Sequence, residues 1–283
     1  MKVKKSLIVV NSFKEESKTL GNEIQAYLES LGVHTDIFIF NGFSEQYPFY
    51  GYDFVITMGG DGTVLFAARG CAPLNIPIFP VNFGSFGFIA SVQRDEWKNE
   101  LDEFLAGDSI IAQRCMLQAE LVSSGQKRLS STGLNDVVIC GKTAAHTISF
   151  SVLYDDIPLG EIKADGIIIS TATGSTAYSA SAGGPIIDPG LDAMVLTLMN
   201  AFSLSSRPLV LSPQVLLKIE ILPSRISDVV ISVDGQIPTD LHVGDIVKIR
   251  QSGTKAKLIG CTKEKFYNAL RSKLNWSGGP QHA

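Results

Sequence analysis

A carboxylate set among glycines is the feature of this 283-residue chain that first suggests chemistry. Met58-Gly59-Gly60-Asp61-Gly62-Thr63 follows an apolar run and leads into a helical one. Glycines let backbone N–H groups approach a phosphate, and a helix N-terminus presents unpaired donors there. A carboxylate repels such an anion. Asp61 therefore makes more sense meeting a hydroxyl proton, or a metal ion beside the phosphate. The same residues also fit a tight strand–helix turn with Asp61 as the helix N-cap.

A second group lies between Asp165 and Pro185. Ser170, Thr171, Thr173, Ser175, Thr176, Ser179 and Ser181 surround Gly174 after an apolar strand. They offer backbone donors and hydroxyls to sugar or phosphate oxygens, and Tyr178 offers a flat face to a base. The plainer alternative is a Ser/Thr loop whose hydroxyls cap turns. Asn135-Asp136 could read an adenine edge and take two ribose hydroxyls, or form an ordinary turn. Lys163 is a candidate cation for an anionic ligand, or a solvated strand lysine. Gly141-Lys142-Thr143 imitates the end of a P-loop, but Asp136 stands where that loop needs glycine, and His146 to Leu153 reads as strand.

The elements that must position these residues follow from periodicity. Leu7 to Val10 reads as a strand, and Glu15 to Leu31 as a helix with Leu20, Ile24, Leu28 and Leu31 on one face, closed by Gly32. Further strands are expected at Val33 to Phe40, Tyr52 to Met58 and Ile76 to Val81. Helices are expected at Thr63 to Arg69, closed by Gly70, and at Arg94 to Ala106. Such alternation implies a parallel sheet, a Rossmann-like α/β domain. Gly84-Ser85-Phe86-Gly87-Phe88 falls at its carboxyl end, where ligands settle in open α/β folds. From residue 109 short β-rich runs take over, with strict alternation in Val215, Leu217, Ile219 and Ile221. The expected organisation is an α/β domain of residues 1–108 completed by 262–276, and a β-rich, sandwich-like domain of residues 109–261. The helical tail Lys263 to Leu274 returns to the first domain.

Composition excludes several classes. With 24 Lys plus Arg against 28 Asp plus Glu, the net charge of −4 argues against wrapping nucleic acid. No apolar run reaches the roughly 20 residues of a bilayer span, so no membrane partner is expected. The four cysteines and four histidines are dispersed. A disulfide framework and a side-chain metal site are not expected, and a reducing cytoplasm fits.

Gly59-Gly60-Asp61-Gly62-Thr63, Asn135-Asp136, Thr173-Gly174-Ser175-Thr176-Ala177-Tyr178 and Gly183-Gly184-Pro185 together resemble the NAD kinase family. Ser203-Leu204-Ser205-Ser206-Arg207-Pro208, Asp234-Gly235-Gln236 and Lys273-Leu274-Asn275-Trp276 extend the resemblance over nearly the whole chain. Departures are Ala172 for the usual proline, Ala201-Phe202 for Pro-His, and Asp136 for the commoner glutamate.

The resemblance implies phosphoryl transfer from ATP or polyphosphate to the 2′-hydroxyl of the adenosine ribose of NAD, with Mg²⁺ or Mn²⁺. It makes Asp61 the general base, while the Gly59, Gly60, Gly62 and Thr63 backbone holds the donor. NAD would lie between the domains. Its adenosine would meet Asn135 and Asp136, its carboxamide Asp165, and its adenine Phe88. Thr173, Thr176, Ala177 and Tyr178 would line the pocket. Family members usually form dimers or tetramers in which a neighbouring subunit completes the site. The glycine turn alone also fits a lipid kinase, and a non-catalytic NAD(P)-binding sensor is the reading from another class.

Overall fold

The computed structural model describes residues 3–44, 46–84, 87–143, 147–224 and 228–274. Ser85, Phe86, His146, Asn275 and Trp276, used above, lie outside them. The chain divides into two units, one of Met1–Gln113 with Lys255–Ala283 and one of Arg114–Thr254.

The first unit opens with β1 (Lys5–Asn11), α1 (Glu15–Ser30), β2 (His34–Phe40), β3 (Phe54–Gly59), α2 (Asp61–Cys71), β4 (Pro77–Asn82), α3 (Trp97–Ala106) and β5 (Ile111–Arg114). The run Phe54-Val55-Ile56-Thr57-Met58-Gly59 is buried throughout, as expected for a central parallel strand covered on both faces. It lies parallel to β1 and β4, so Asn11, Gly59 and Asn82 all end at the carboxyl edge of the sheet. Gly32 has φ +78° and closes α1, its N–H reaching the Glu29 carbonyl. Gly107, at φ +92°, closes α3 in the same way.

Gly70 behaves otherwise. The expected helix stop at this residue does not occur, since α2 runs on through Cys71. A Cβ on Gly70 would lie 2.3 Å from the Phe49 ring, which is fully buried and packs on Phe66 at 5.5 Å. This glycine is a packing contact inside the helix.

In the second unit two antiparallel sheets face each other. One orders β10 (Ile157–Ala164), β9 (Ile148–Tyr154), β14 (Leu217–Leu222), β17 (Ile246–Gln251), β6 (Leu117–Ser123) and β7 (Gln126–Gly133). The other orders β13 (Leu209–Leu211), β12 (Met194–Met199), β11 (Gly166–Thr171), β8 (Asp136–Gly141), β15 (Val229–Val233) and β16 (Thr239–Leu241). Ile219, Phe150 and Val247 from the first sheet share one core with Ile139, Ile167 and Ile231 from the second. β14 alternates between buried and half-buried residues, whereas β11 is buried at every position. Its second face is covered by the 3-10 turn Thr173–Thr176, α4 (Tyr178–Ser181) and the chain around them.

The chain then re-enters the first unit. β18 (Ala256–Ile259) pairs parallel with β4, giving the sheet order β2-β1-β3-β4-β18-β5, and α5 (Lys263–Leu274) follows. Both the mainly parallel α/β unit and the β-rich sandwich agree with the fold read from the sequence.

Alanine favours a helix over glycine by about 1 kcal/mol, but overpacking costs about 1–3 kcal/mol. Gly70→Ala should therefore lower stability despite its better propensity, read as a drop in the urea midpoint.

Candidate active site

At the carboxyl edge of the first unit, Gly60 is the N-cap of α2 and Asp61 its first residue, with no side-chain cap. Asp61 is thus not the N-cap that a simple turn would make it. Its carboxylate instead accepts backbone N–H bonds from Phe88 at 3.2 Å on Oδ2, and from Ile89 at 3.3 Å and Ala90 at 3.0 Å on Oδ1. Three donors fix its position without neutralising it. Gly87 permits the approach, since a Cβ there would stand 2.2 Å from Asp61 Oδ1.

The glycines of the turn divide by role. A Cβ on Gly59 would collide with the Thr63 hydroxyl at 2.2 Å, so this glycine serves packing. Gly60 and Gly62 have nothing within 4 Å of that position, which leaves open space over the helix N-terminus. Thr63 is buried, and its hydroxyl accepts from Asn11 Nδ2 at 3.4 Å. Its side chain braces the turn, leaving the open approach to its glycine neighbours. The half-buried Phe88 ring packs on Phe266 at 5.9 Å and beneath the Lys273 ammonium at 4.8 Å.

In the second unit, Asn135 and Asp136 are held by a residue to which the motifs gave no role. The Asp234 carboxylate accepts N–H bonds from Leu134 at 2.9 Å, Asn135 at 2.7 Å and Asp136 at 3.2 Å. Asp234 has φ +50°, and the Gly235 that follows it has φ +65°. An Asp-Gly turn after an apolar strand was the available signal. The Thr171 hydroxyl donates to the Leu134 carbonyl at 2.6 Å, and Gly174 lies so close that a Cβ would meet the Asn135 carbonyl at 2.1 Å. Ala172 keeps φ at −58°, a value proline would also hold.

The hydroxyl-rich segment is largely turned inward. Ser175 donates to the Ala172 carbonyl, and Ser179 shares a 2.9 Å bond with Thr197 across the face of β12. Ser170, Thr171, Ser175 and Ser179 are buried. Small hydroxyls let this segment lie flat on the sheet; Thr173 is buried as well, and the hydroxyls left with surface belong to Thr176, Tyr178 and Ser181. Tyr178 is 45% exposed, and burial of its hydroxyl raises its pKa.

Two polar atoms here have no partner, Asn135 Oδ1 and Ser170 Oγ, the latter on the residue paired with Asp136. Buried unsatisfied groups are rare in folded proteins. Burial, and then the charge of Asp234, push the Asp136 carboxyl up to about 7.

Asp165 and Lys163 lie elsewhere in the unit. β11 pairs Gly166 with Cys140 at one end and Ser170 with Asp136 at the other. Asp165 precedes the first of these ends, where its carboxylate accepts from Asn200 Nδ2 at 2.8 Å. At about 3.3 Å per residue, roughly 20 Å separates it from Thr171. Lys163 lines a cavity of about 830 Å³ with Glu161, Leu198, Phe202 and Arg207. Among the described residues, no three His, Cys, Asp or Glu side chains are grouped to hold a metal.

The ATP-NAD kinase N-terminal domain model matches residues 49–109, and the ATP-NAD kinase C-terminal domain model matches residues 134–261. The chain is 44% identical to the NAD kinase of Treponema denticola over 277 residues, 98% of each chain. It is 40% identical to the NAD kinase of Treponema pallidum over 97% of this chain and 90% of that one. Among solved structures, yeast NADH kinase complexed with NADH superposes with a TM-score of 0.88 at 21% identity, covering 99% of this chain and 90% of that one. An Archaeoglobus fulgidus NAD kinase in complex with ATP gives 0.75 at 23% identity, covering 97% and 100%. Both show a shared fold.

An α/β unit with an anchored carboxylate at a glycine turn, joined to this antiparallel sandwich, defines a two-domain phosphotransferase. The chain belongs to the NAD kinase family. Nothing in these comparisons supports a lipid kinase.

In an unfolded chain Asp136 would ionise near pH 4. Between about pH 4 and 7 the native protein keeps a proton that the unfolded chain has released. This contribution is full below that window and is lost as pH rises through about 7. Asp136→Asn removes the titration. Its stability relative to the parent should climb between about pH 4 and 7 and then level off, measured by urea unfolding across that range.

Proposed function

We propose that the protein transfers a phosphoryl group from ATP, or from polyphosphate, to the 2′-hydroxyl of the adenosine ribose of NAD, forming NADP. The observation that carries this reading is the partnerless, buried Asn135 Oδ1 beside the Asp136 carboxyl. An adenine amino group supplies the donor that the amide oxygen lacks, and ribose hydroxyls suit the carboxyl. The NAD kinases to which the chain is related, and the NADH and ATP in the two related structures, support it.

Phosphoryl transfer is chiefly positioning and charge compensation. Within the donor turn of Gly59, Gly60, Gly62 and Thr63, the backbone of Gly60 and Gly62 holds the phosphates in the open space beside it, while Gly59 and Thr63, whose N–H is taken by the Gly60 carbonyl, shape the turn. Asp61 orients the ribose hydroxyl and accepts its proton as the new P–O bond forms. The N–H groups of Phe88 to Ala90 keep the carboxylate from swinging away. A divalent metal such as Mg²⁺ or Mn²⁺, brought in with the donor, would supply neutralisation of the phosphate charge. Phe88 serves the adenine, and Thr173, Thr176, Ala177 and Tyr178 line the nucleotide pocket.

Asp165 and Lys163 serve the nicotinamide half of a dinucleotide whose adenosine is held by a second copy of the chain. The separation along β11 supports this, as do Phe202 and Leu204, 81% and 95% exposed in the segment that follows Asn200. A homodimer or homotetramer follows. The four free cysteines suit a reducing cytoplasm.

Asp61→Asn keeps one acceptor oxygen for the N–H groups, so it should fold and bind NAD while NADP formation falls about 10²–10⁴-fold. Gly87→Ala displaces the carboxylate itself and should also lower kcat, by about 10²-fold, with the KM for NAD little changed. An NADP-coupled assay beside NADH fluorescence titration reads both. Near-normal turnover in Asp61→Asn would end the general-base assignment.

A further inference from the structure

The loop between β1 and α1 carries a cation that no motif singled out. Lys14, the N-cap of α1, donates from Nζ to the Phe83 carbonyl at 2.8 Å. The N–H of Phe83 in turn donates to the Gly59 carbonyl at 2.9 Å. One residue and two hydrogen bonds thus connect the ammonium to the first glycine of the turn. The last residue of β1 touches that turn directly, through Asn11 Nδ2 on Thr63 and through the approach of Asn11 Cβ to Gly59.

Several other cations of the unit are engaged. Arg94 pairs with Glu16 and lies over the Phe83 ring, Lys265 pairs with Glu100, and Lys98 and Lys273 lie over Tyr27 and Phe88. Among the described residues Lys14 has no carboxylate or ring partner, and one carbonyl leaves two of its three N–H donors available. A second donor nearby is also unmet. Asn82, 3% exposed and paired with Gly59 across the strands, has no acceptor for Nδ2. The Asp61 oxygens at this edge are taken up by three N–H groups, and the donors of Lys14 and Asn82 that remain are the complement of a polyanion.

We infer that Lys14 is the side-chain cation that binds the donor's phosphates at the glycine turn. This rests on the kinase reading. The contact is to phosphate and not to a base, so it is indifferent to what the phosphates are attached to. A lysine serves as a point charge here, where Gly60 and Gly62 supply the directed N–H groups.

Steady-state kinetics of Lys14→Gln and Lys14→Arg, with donor and NAD varied separately, test this. Loss of one charge-assisted contact should raise the donor KM about 10- to 100-fold in Lys14→Gln. The rise should be alike for ATP, GTP and inorganic polyphosphate where each is used, with the KM for NAD within about twofold and the arginine variant partly restored. An unchanged donor KM overturns the proposal. So does a fall in kcat alone, which would make Lys14 a mere anchor of the Phe83 carbonyl. Should the wild-type protein form no NADP, the kinase reading fails. Calorimetric titration of ATP into wild type and Lys14→Gln still judges the lysine, and equal affinities would refute it.

Discussion

The carboxylate of Asp61 bonded to three successive N–H groups is the contact around which the first unit is arranged. A half-buried carboxylate is electrostatically awkward, and it persists only where something holds it. Here the segment from Gly87 to Ala90 does so. That segment is itself tied down: Ser91 bonds the Gly260 carbonyl and Cys261, both from the last part of the chain. Asp61 therefore sits where it does because of residues nearly two hundred positions away in sequence.

The second unit applies the same device to a different end. Asp234 gathers three N–H groups so that Asn135 and Asp136 are presented from a rigid turn. Thr171 and Gly174 close that turn from the other side. In both units an acidic side chain organises backbone donors. In one the donors fix the acid itself, and in the other the acid fixes the peptide it grips.

Strand and helix alternation, the return of the tail and the glycine turn were readable from local pattern because apolar period and glycine placement are local properties. Gly70 was misread for the same reason: a glycine near a helix end looks like a stop unless the Phe49 ring above it is known. The Ser/Thr segment was read as ligand-facing because hydroxyls are hydrophilic in isolation. Their burial depends on Thr197 and on carbonyls that sequence does not place beside them. Asp234 and Lys14 escaped because each acts on backbone far along the chain. Asp165 and Thr173 are near in sequence, and only the extended course of β11 shows how far apart they lie.

The first sheet contains β18, so it cannot be finished until the ribosome has released residues beyond Ile259. The antiparallel unit, continuous in sequence, is available to fold earlier. The slot between β4 and β5 stays vacant meanwhile, exposing strand edges that invite mispairing. Synthesis thus makes the antiparallel sandwich available first and leaves the sheet that carries the anchored acid for last, so an interrupted chain would emerge with that sheet unfinished.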